Sequence, residues 1–238
     1  MPGDHLPLTG ERTVPGVPEE NYWFRRHVAA YRAARRWVRG VIVDAGCGEG
    51  YGTAMLARRG RTLGIELDAG VARHAARRYP SARFVRADLC RAPVAEASVH
   101  GIVALQVLEH LRCADDFVAS CRAALRPGGT LVMSTPNRAT FPAGLNPSHV
   151  HEFVAGELRG LLDRHFRDVR VLGIRHRAPL RALDRVLGEP LPHRLVRVPY
   201  RDQPAWLRLV LRTVTAGDFA VSANAEASID LIALCRVR

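Results

Sequence analysis

Three groups of residues in this sequence have the types and spacing to do chemistry. The first is VIVDAGCGEGYG (41–52), where Asp44 precedes Gly46, Gly48 and Gly50. Glycine is needed where backbone turns sharply and approaches a ligand without a Cβ in the way, so the run reads as a ligand-binding loop at the carboxyl end of a strand. The dinucleotide pattern G-x-G-x-x-G/A does not fit, because its last position falls on Tyr51 counted from Gly46 and on Thr53 counted from Gly48. The second group is Glu109 and His110 in LEHL. The third is NPSHVHEF (146–153), with His149, His151 and Glu152. Such residues serve as metal ligands, as a catalytic base with its orienting carboxylate, or as ordinary surface groups, and type alone leaves all three open.

The elements that must position these groups alternate between short β-rich runs and helical runs, the pattern of parallel strands joined by crossover helices. Strands are predicted at 41–46, 62–67, 83–89, 100–107, 130–136, 168–174 and 228–237, and helices near 51–59, 69–78, 113–125 and 155–165. This gives an α/β, doubly wound, seven-stranded, mostly parallel sheet in one domain spanning 1–238. Residues 1–40 form an amino-terminal cap: Trp23, Val28, Tyr31 and Trp37 recur at near-helical spacing, so a helix with a basic outer face is expected to cover one edge. Residues 41–174 are the cofactor-binding core, and 218–238 hold the last strand. Between them, 175–217 break the rhythm with Pro179, Pro190, Pro192, Pro199 and Pro204, and are expected to be an insertion serving as a lid or a dimer contact.

Composition limits the function classes. The 238 residues are 47% hydrophobic with a mean hydropathy of −0.07, and no run approaches the roughly 18 apolar residues of a membrane span. Met1 to Gly10 has neither a basic start nor an apolar stretch, so a cytoplasmic protein is expected. Five scattered cysteines without C-x-x-C spacing argue against a disulfide framework and a structural zinc site, and reduced thiols are expected. The formal charge is +12, yet every basic side chain apart from histidine is Arg. Short pairs such as Arg25-Arg26, Arg35-Arg36 and Arg77-Arg78 lie on helix-like stretches where a solvated face accounts for them. Nucleic acid is therefore not the expected partner.

An acidic residue two positions before G-x-G-x-G, then GIELD, RADL, LQVLEHL and LRPGGTLVMSTPN in order, resembles the class I S-adenosylmethionine-dependent methyltransferases, a Rossmann-like family. The resemblance implies that Asp44, Gly46, Gly48 and Gly50 form the loop against the methionine part of S-adenosylmethionine. It implies that Glu66, followed by Leu67, accepts from both ribose hydroxyls, and that Asp88 accepts from the adenine amino group with Leu89 beside the ring. Carboxylates suit both tasks because they offer acceptors only. Gln106 is expected at the methyl-sulfonium end. His100 replaces a usual Asp, at a strand start away from the cofactor.

The segment after the fourth strand lacks the Asn-Pro-Pro-Tyr of amino-group methylation and the cysteine of cytosine C5 methylation, which leaves methylation of a small-molecule hydroxyl. LEHL is similar to the Glu-x-x-Glu-His metal segment of quinone-biosynthesis O-methyltransferases, with Gln106 in place of the first Glu. The similarity implies a divalent metal, Mg²⁺, on Glu109 and His110 with help from Asp115, His149 or Glu152; the alternative is that Glu109 caps a helix and His110 packs. In the loop after the fifth strand, His149 is the candidate base, Glu152 its orienting carboxylate, and His151 is expected to point away. LTGERTVPGVPEENYWFRRH, STPNRATF, NPSHVHEF and DFAVS…SIDLIAL further resemble actinobacterial sugar O-methyltransferases of polymethylated polysaccharides. That resemblance implies a mannose- or glucose-based oligosaccharide acceptor, with the reducing-end 1-hydroxyl of a 3-O-methylmannoside in methylmannose polysaccharide biosynthesis favoured over methylglucose lipopolysaccharide. Two rival classes stay open: an RNA methyltransferase, on charge alone, and a non-catalytic cofactor-binding protein. A homodimer is a further expectation.

Overall fold

The computed structural model describes residues 6–8, 12–91, 94–141 and 146–238. Part of one quoted motif, residues 9–11 of LTGERTVPGVPEENYWFRRH, lies outside the described residues. The strands are β1 (Gly40–Ala45), β2 (Gly60–Glu66), β3 (Arg83–Arg86), β4 (Val99–Leu105), β5 (Leu125–Pro136), β6 (Asp168–His176), β7 (Phe219–Ser222) and β8 (Asp230–Arg236). They form one sheet of eight strands in the order β3-β2-β1-β4-β5-β8-β6-β7. Strands β1 to β5 pair in parallel. Strand β8 is antiparallel to both β5 and β6, and β7 is antiparallel to β6. The Rossmann-like, mostly parallel expectation holds, but the count of seven strands does not and the sheet is mixed. The extra strand, FAVS, is too short to show an alternating pattern and exists because His176 and its neighbours extend β6 far enough to pair with it.

The helices are α1 (Asn21–Ala34), α2 (Tyr51–Leu56), α3 (Ala69–Arg78), α4 (Ala114–Ala124), α5 (Ala155–Asp163), α6 (Ala178–Leu187), α7 (Leu191–Arg197) and α8 (Ala205–Thr213). Successive strand residues point to opposite faces, and both faces are covered. Val43, Ile102, Ala104, Leu131, Met133, Leu231 and Ala233 pack against α4 and α5 through Phe117, Val118, Leu158 and Leu162. Ile42, Val103, Leu105, Val132, Ile232 and Leu234 pack against α1 and α6 to α8 through Tyr22, Ala30, Tyr31, Leu183, Leu191, Leu207 and Leu211. Burial on both faces explains why these strands are near-continuous apolar runs.

Three expectations change here. Helix α1 lies over a sheet face and not at an edge, since its inward residues share a core with Ile42 and Val103. Its outer face is not wholly basic: Arg26 is only 4% exposed, because its guanidinium is paired with the equally buried Asp230 at the start of β8. Within 175–217 the prolines sit at helix starts, where a missing N–H costs nothing. The thiols are not all reduced either. Cys90 and Cys113 are bridged, their Cα atoms 5.8 Å apart, because the loops after β3 and before α4 meet at one end of the sheet, a pairing that spacing along the chain does not encode. Among the described residues no helix is long and apolar enough to cross a membrane.

Candidate active site

The sheet's strand order reverses between β1 and β4, and the crevice at the carboxyl ends of those two strands is where open α/β sheets bind ligands. Gly46, Gly48 and Gly50 follow β1 with φ of +71°, +53° and +100°, a region that other residues enter at a cost. A side chain on Gly46 would strike Val107, so this turn admits only glycine. Gly46 and Cys47 donate to the Ile65 carbonyl and pin the loop to β2. Beside it opens a cavity of about 450 Å³ lined by Gly46, Gly48, Glu66, Leu67, Asp88, Leu89 and Gln106, with Arg12 and Leu111 among the other walls.

The residues present fit S-adenosylmethionine. Glu66 Oε2 accepts from Gly48 N at 2.9 Å and Oε1 from Asp68 N at 3.1 Å, which orients the carboxylate and leaves further lone pairs for a diol. Asp88 is exposed on the rim, and its Oδ1 accepts from Cys90 N at 2.9 Å. Leu67, 60% exposed, and Leu89 give this end of the cavity an apolar edge for a flat ring. Two of the predicted residues are set back from the cavity. Gly50 caps α2 and faces Ala75, Tyr79 and Phe84. Asp44 is fully buried under the loop and accepts from Thr53 Oγ1 at 2.6 Å and Tyr31 Oη at 3.1 Å. Burial pushes its carboxyl up to about 7 against the pull of those two hydroxyls. It supports the loop from beneath and is not in the cavity wall.

A second cavity, about 410 Å³, adjoins the first, and the two share Arg12, Gln106 and His110. Gln106 follows β4 with φ +56°, a left-handed conformation that costs a non-glycine residue about 1–3 kcal/mol. Its N–H bonds the Ser134 carbonyl at 2.8 Å, and its Nε2 lies 3.2 Å from Ser134 Oγ and 3.4 Å from Asp230 Oδ1. The strain buys a fixed carboxamide where the two cavities meet.

The NPSHVHEF loop reaches this point through backbone bonds, Val150 N and His151 N both donating to the Glu109 carbonyl at 2.7 and 3.3 Å. They bring His149 against His110, ring centroids 4.9 Å apart. His149 Nδ1 lies 2.8 Å from Glu152 Oε1, with both side chains nearly buried. In the tautomer where Nδ1 donates to Glu152, Nε2 is the acceptor, and His149 lines the second cavity. His151 turns away, half exposed, toward Glu157.

Glu109, His110 and His149 bring ligand atoms within 4.8 Å of one another. Burial pushes the Glu109 carboxyl up to about 8, and its Oε2 is buried without a hydrogen-bond partner. One carboxylate with two imidazoles suits first-row transition cations better than Mg²⁺, which prefers oxygen and water. The predicted magnesium site therefore fits poorly, and Asp115 cannot complete it, being occupied on the surface by Arg164 and His165. Glu109 does not cap a helix; it is 1% exposed.

Sequence reasoning missed the wall that α1 contributes. Trp23, Arg26 and His27 line the second cavity, with Arg26 stacked 5.3 Å over the Trp23 ring. Their i, i+3, i+4 spacing marks one helix face, and that was the available signal. Burial and the charge of Arg26 push His27 down to about 3, so it is neutral at pH 7. Phe141 and, from the 175–217 segment, Leu195 and Val196 close the wall.

Comparison with known proteins places the chain in a family. The methyltransferase domain family matches residues 43–133. A Mycolicibacterium smegmatis protein named "Probable S-adenosylmethionine-dependent methyltransferase" is 42% identical, covering 94% of this chain and 91% of its own. A Mycobacterium tuberculosis protein of the same designation is 40% identical over 96% of this chain and 89% of its own. A solved Thermotoga maritima structure, described as an S-adenosylmethionine-dependent methyltransferase and possible histamine N-methyltransferase, superposes with a TM-score of 0.64 over 94% of this chain and 96% of its own; at 14% identity it speaks for the fold alone. With the glycine loop and carboxylates in one cleft and relatives matching nearly end to end, the chain belongs to the class I S-adenosylmethionine-dependent methyltransferases.

Proposed function

We propose that this methyltransferase acts on oxygen, transferring the methyl group to a hydroxyl of a mannose- or glucose-based oligosaccharide, with the reducing-end 1-hydroxyl of a 3-O-methylmannoside favoured. The observation that carries the proposal is the buried His149–Glu152 pair on the wall of a second cavity that meets the cofactor cleft at Gln106. An amine acceptor needs no base once it is neutral, whereas a hydroxyl must lose a proton as the new bond forms. An anomeric hydroxyl is more acidic than other sugar hydroxyls, which suits an imidazole. Trp23 offers an aromatic face, and Arg26, Asn146 and His149 offer polar groups around it, the mixture of apolar and polar edges that a partly methylated sugar presents.

S-adenosylmethionine supplies, when bound, an electrophilic methyl carbon on a sulfonium. The chain's residues do the rest. Glu66, Asp88 and the glycine loop hold the cofactor, and Gln106 fixes the junction. His149 Nε2 takes the acceptor proton while Glu152 holds the ring and stabilises the imidazolium. Alignment of the acceptor oxygen behind the methyl carbon is a positioning task for the cavity walls, and α7 contributes Leu195 and Val196 to it. The 175–217 segment thus serves as a fixed acceptor wall. No step runs through a metal.

Incubation with methyl-labelled S-adenosylmethionine and a panel of mannosides and glucosides, with or without 3-O-methyl groups and with the reducing end free or blocked, tests the proposal. Label is expected on 3-O-methylmannosides with a free reducing end and not on their 1-O-blocked forms. Cofactor binding without transfer to any glycoside would refute it.

A further inference from the structure

At the opposite end of the sheet lies a cavity of about 430 Å³ lined by Arg32, Arg35, Arg36 and Arg59. Helix α1 carries one active-site wall at Trp23 to His27, and at 1.5 Å per residue its far end lies about 15 Å away. The chain there leads to Gly40, paired with Gly60 at the start of the β1–β2 ladder, and Arg59 Nε donates to the Val38 carbonyl at 3.5 Å. Segments 27–43 and 50–65 hold seven arginines and no Asp or Glu. Arg138, Arg159, Arg164 and Arg197 each sit on a carboxylate, while, among the described residues, many other surface arginines stand singly. Among the described residues, none of the four cavity arginines has such a partner.

Four arginines lining one concavity give it charge of a single sign, and concave walls focus the field on whatever enters. Planar guanidinium forks match phosphate oxygens in pairs. The volume is in the range of small-molecule sites, about 300–1,000 Å³. The lining has no carboxylate to read a sugar and no aromatic ring to stack a base. We propose that this cavity is an anion site, separate from the active site, that takes a di- or triphosphate group and reads the phosphates alone.

Titration calorimetry of the full chain with inorganic tripolyphosphate at 150 mM NaCl tests the proposal. Saturable one-to-one binding is expected, unchanged by saturating S-adenosylhomocysteine. The double variant Arg35→Gln/Arg36→Gln should weaken it at least tenfold, whereas Arg58→Gln/Arg61→Gln, which removes the same charge beside the cavity, should weaken it less than threefold. S-adenosylhomocysteine binding by both variants reports that they are folded. ATP should bind as tightly as tripolyphosphate. Equal weakening in the two doubles, absence of saturable binding, or displacement by S-adenosylhomocysteine would overturn the site. ATP binding more than tenfold tighter than tripolyphosphate would overturn recognition of phosphate alone.

Discussion

Replacing Arg26 by Met tests whether the acceptor wall hangs on the buried Arg26–Asp230 pair. Arg26 is 4% and Asp230 2% exposed. Without the guanidinium, the carboxylate keeps, among the described residues, only Gln106 Nε2 at 3.4 Å. Removing one partner of a buried ion pair costs about 3–5 kcal/mol, because the other charge is stranded. For a chain of this size about 2–4 °C of melting temperature goes with each kcal/mol, which puts the loss at about 6–20 °C. Arg25→Met, one position away, gives up a bond to Asn21 within the same helix and should cost less than about 1 kcal/mol. The double variant Arg26→Met/Asp230→Leu removes both charges and should regain most of the loss, leaving about 1 kcal/mol for the hydrogen bond that Gln106 gives up. Urea unfolding and scanning calorimetry read all three. If Arg26→Met is no worse than Arg25→Met, or the double variant is as unstable as the single, the pair does not organise the wall.

Four further outcomes are expected. Asp44 has its carboxyl raised from the usual acidic range to about 7, so the folded state holds a proton that the unfolded state releases; stability should fall as pH rises from about 4 to 7 and level off above it, and Asp44→Asn should flatten that slope in melts taken across pH. Glu66→Ala should weaken S-adenosylhomocysteine binding by about 2–3 kcal/mol, roughly 30–150-fold, in calorimetry. His149→Ala should leave that binding intact and lower turnover of a mannoside about 10²–10⁴-fold, with a fully active variant rejecting the base. Turnover should survive EDTA, and loss restored by Mn²⁺ or Zn²⁺ but not Mg²⁺ would move His149 from proton handling to a metal site shared with Glu109 and His110.

Much of the cofactor half was legible because its signals are local. A glycine run with left-handed turns, and carboxylates at consecutive strand ends, each declare themselves within a few residues. The second cavity depends on contacts between distant segments. Arg26 reads as a solvated helix residue until Asp230, 204 positions away, is placed beside it. Cys90 and Cys113 carry no pairing signal until two loops meet at one end of the sheet. Asp44 shows the same limit from the other side: a motif gives its place in the chain, but not its burial beneath Tyr31 and Thr53. His149 and Glu152 sit three apart and are paired, yet what brings them to the cleft is the backbone of Val150 and His151 on Glu109.

Strand β8 lies between β5 and β6 although it comes last in sequence. The parallel half, β1 to β5, has all its own pairings once residue 136 is made. Strand β6 must wait for β8 on one side and β7 on the other, and Asp230 arrives with β8. On the ribosome the parallel half is therefore able to pair while the wall of the second cavity still lacks Asp230, and long-range pairings of this kind form slowly. The wall of the second cavity is thus joined to the sheet by the strand made latest of the eight, through the Arg26–Asp230 pair.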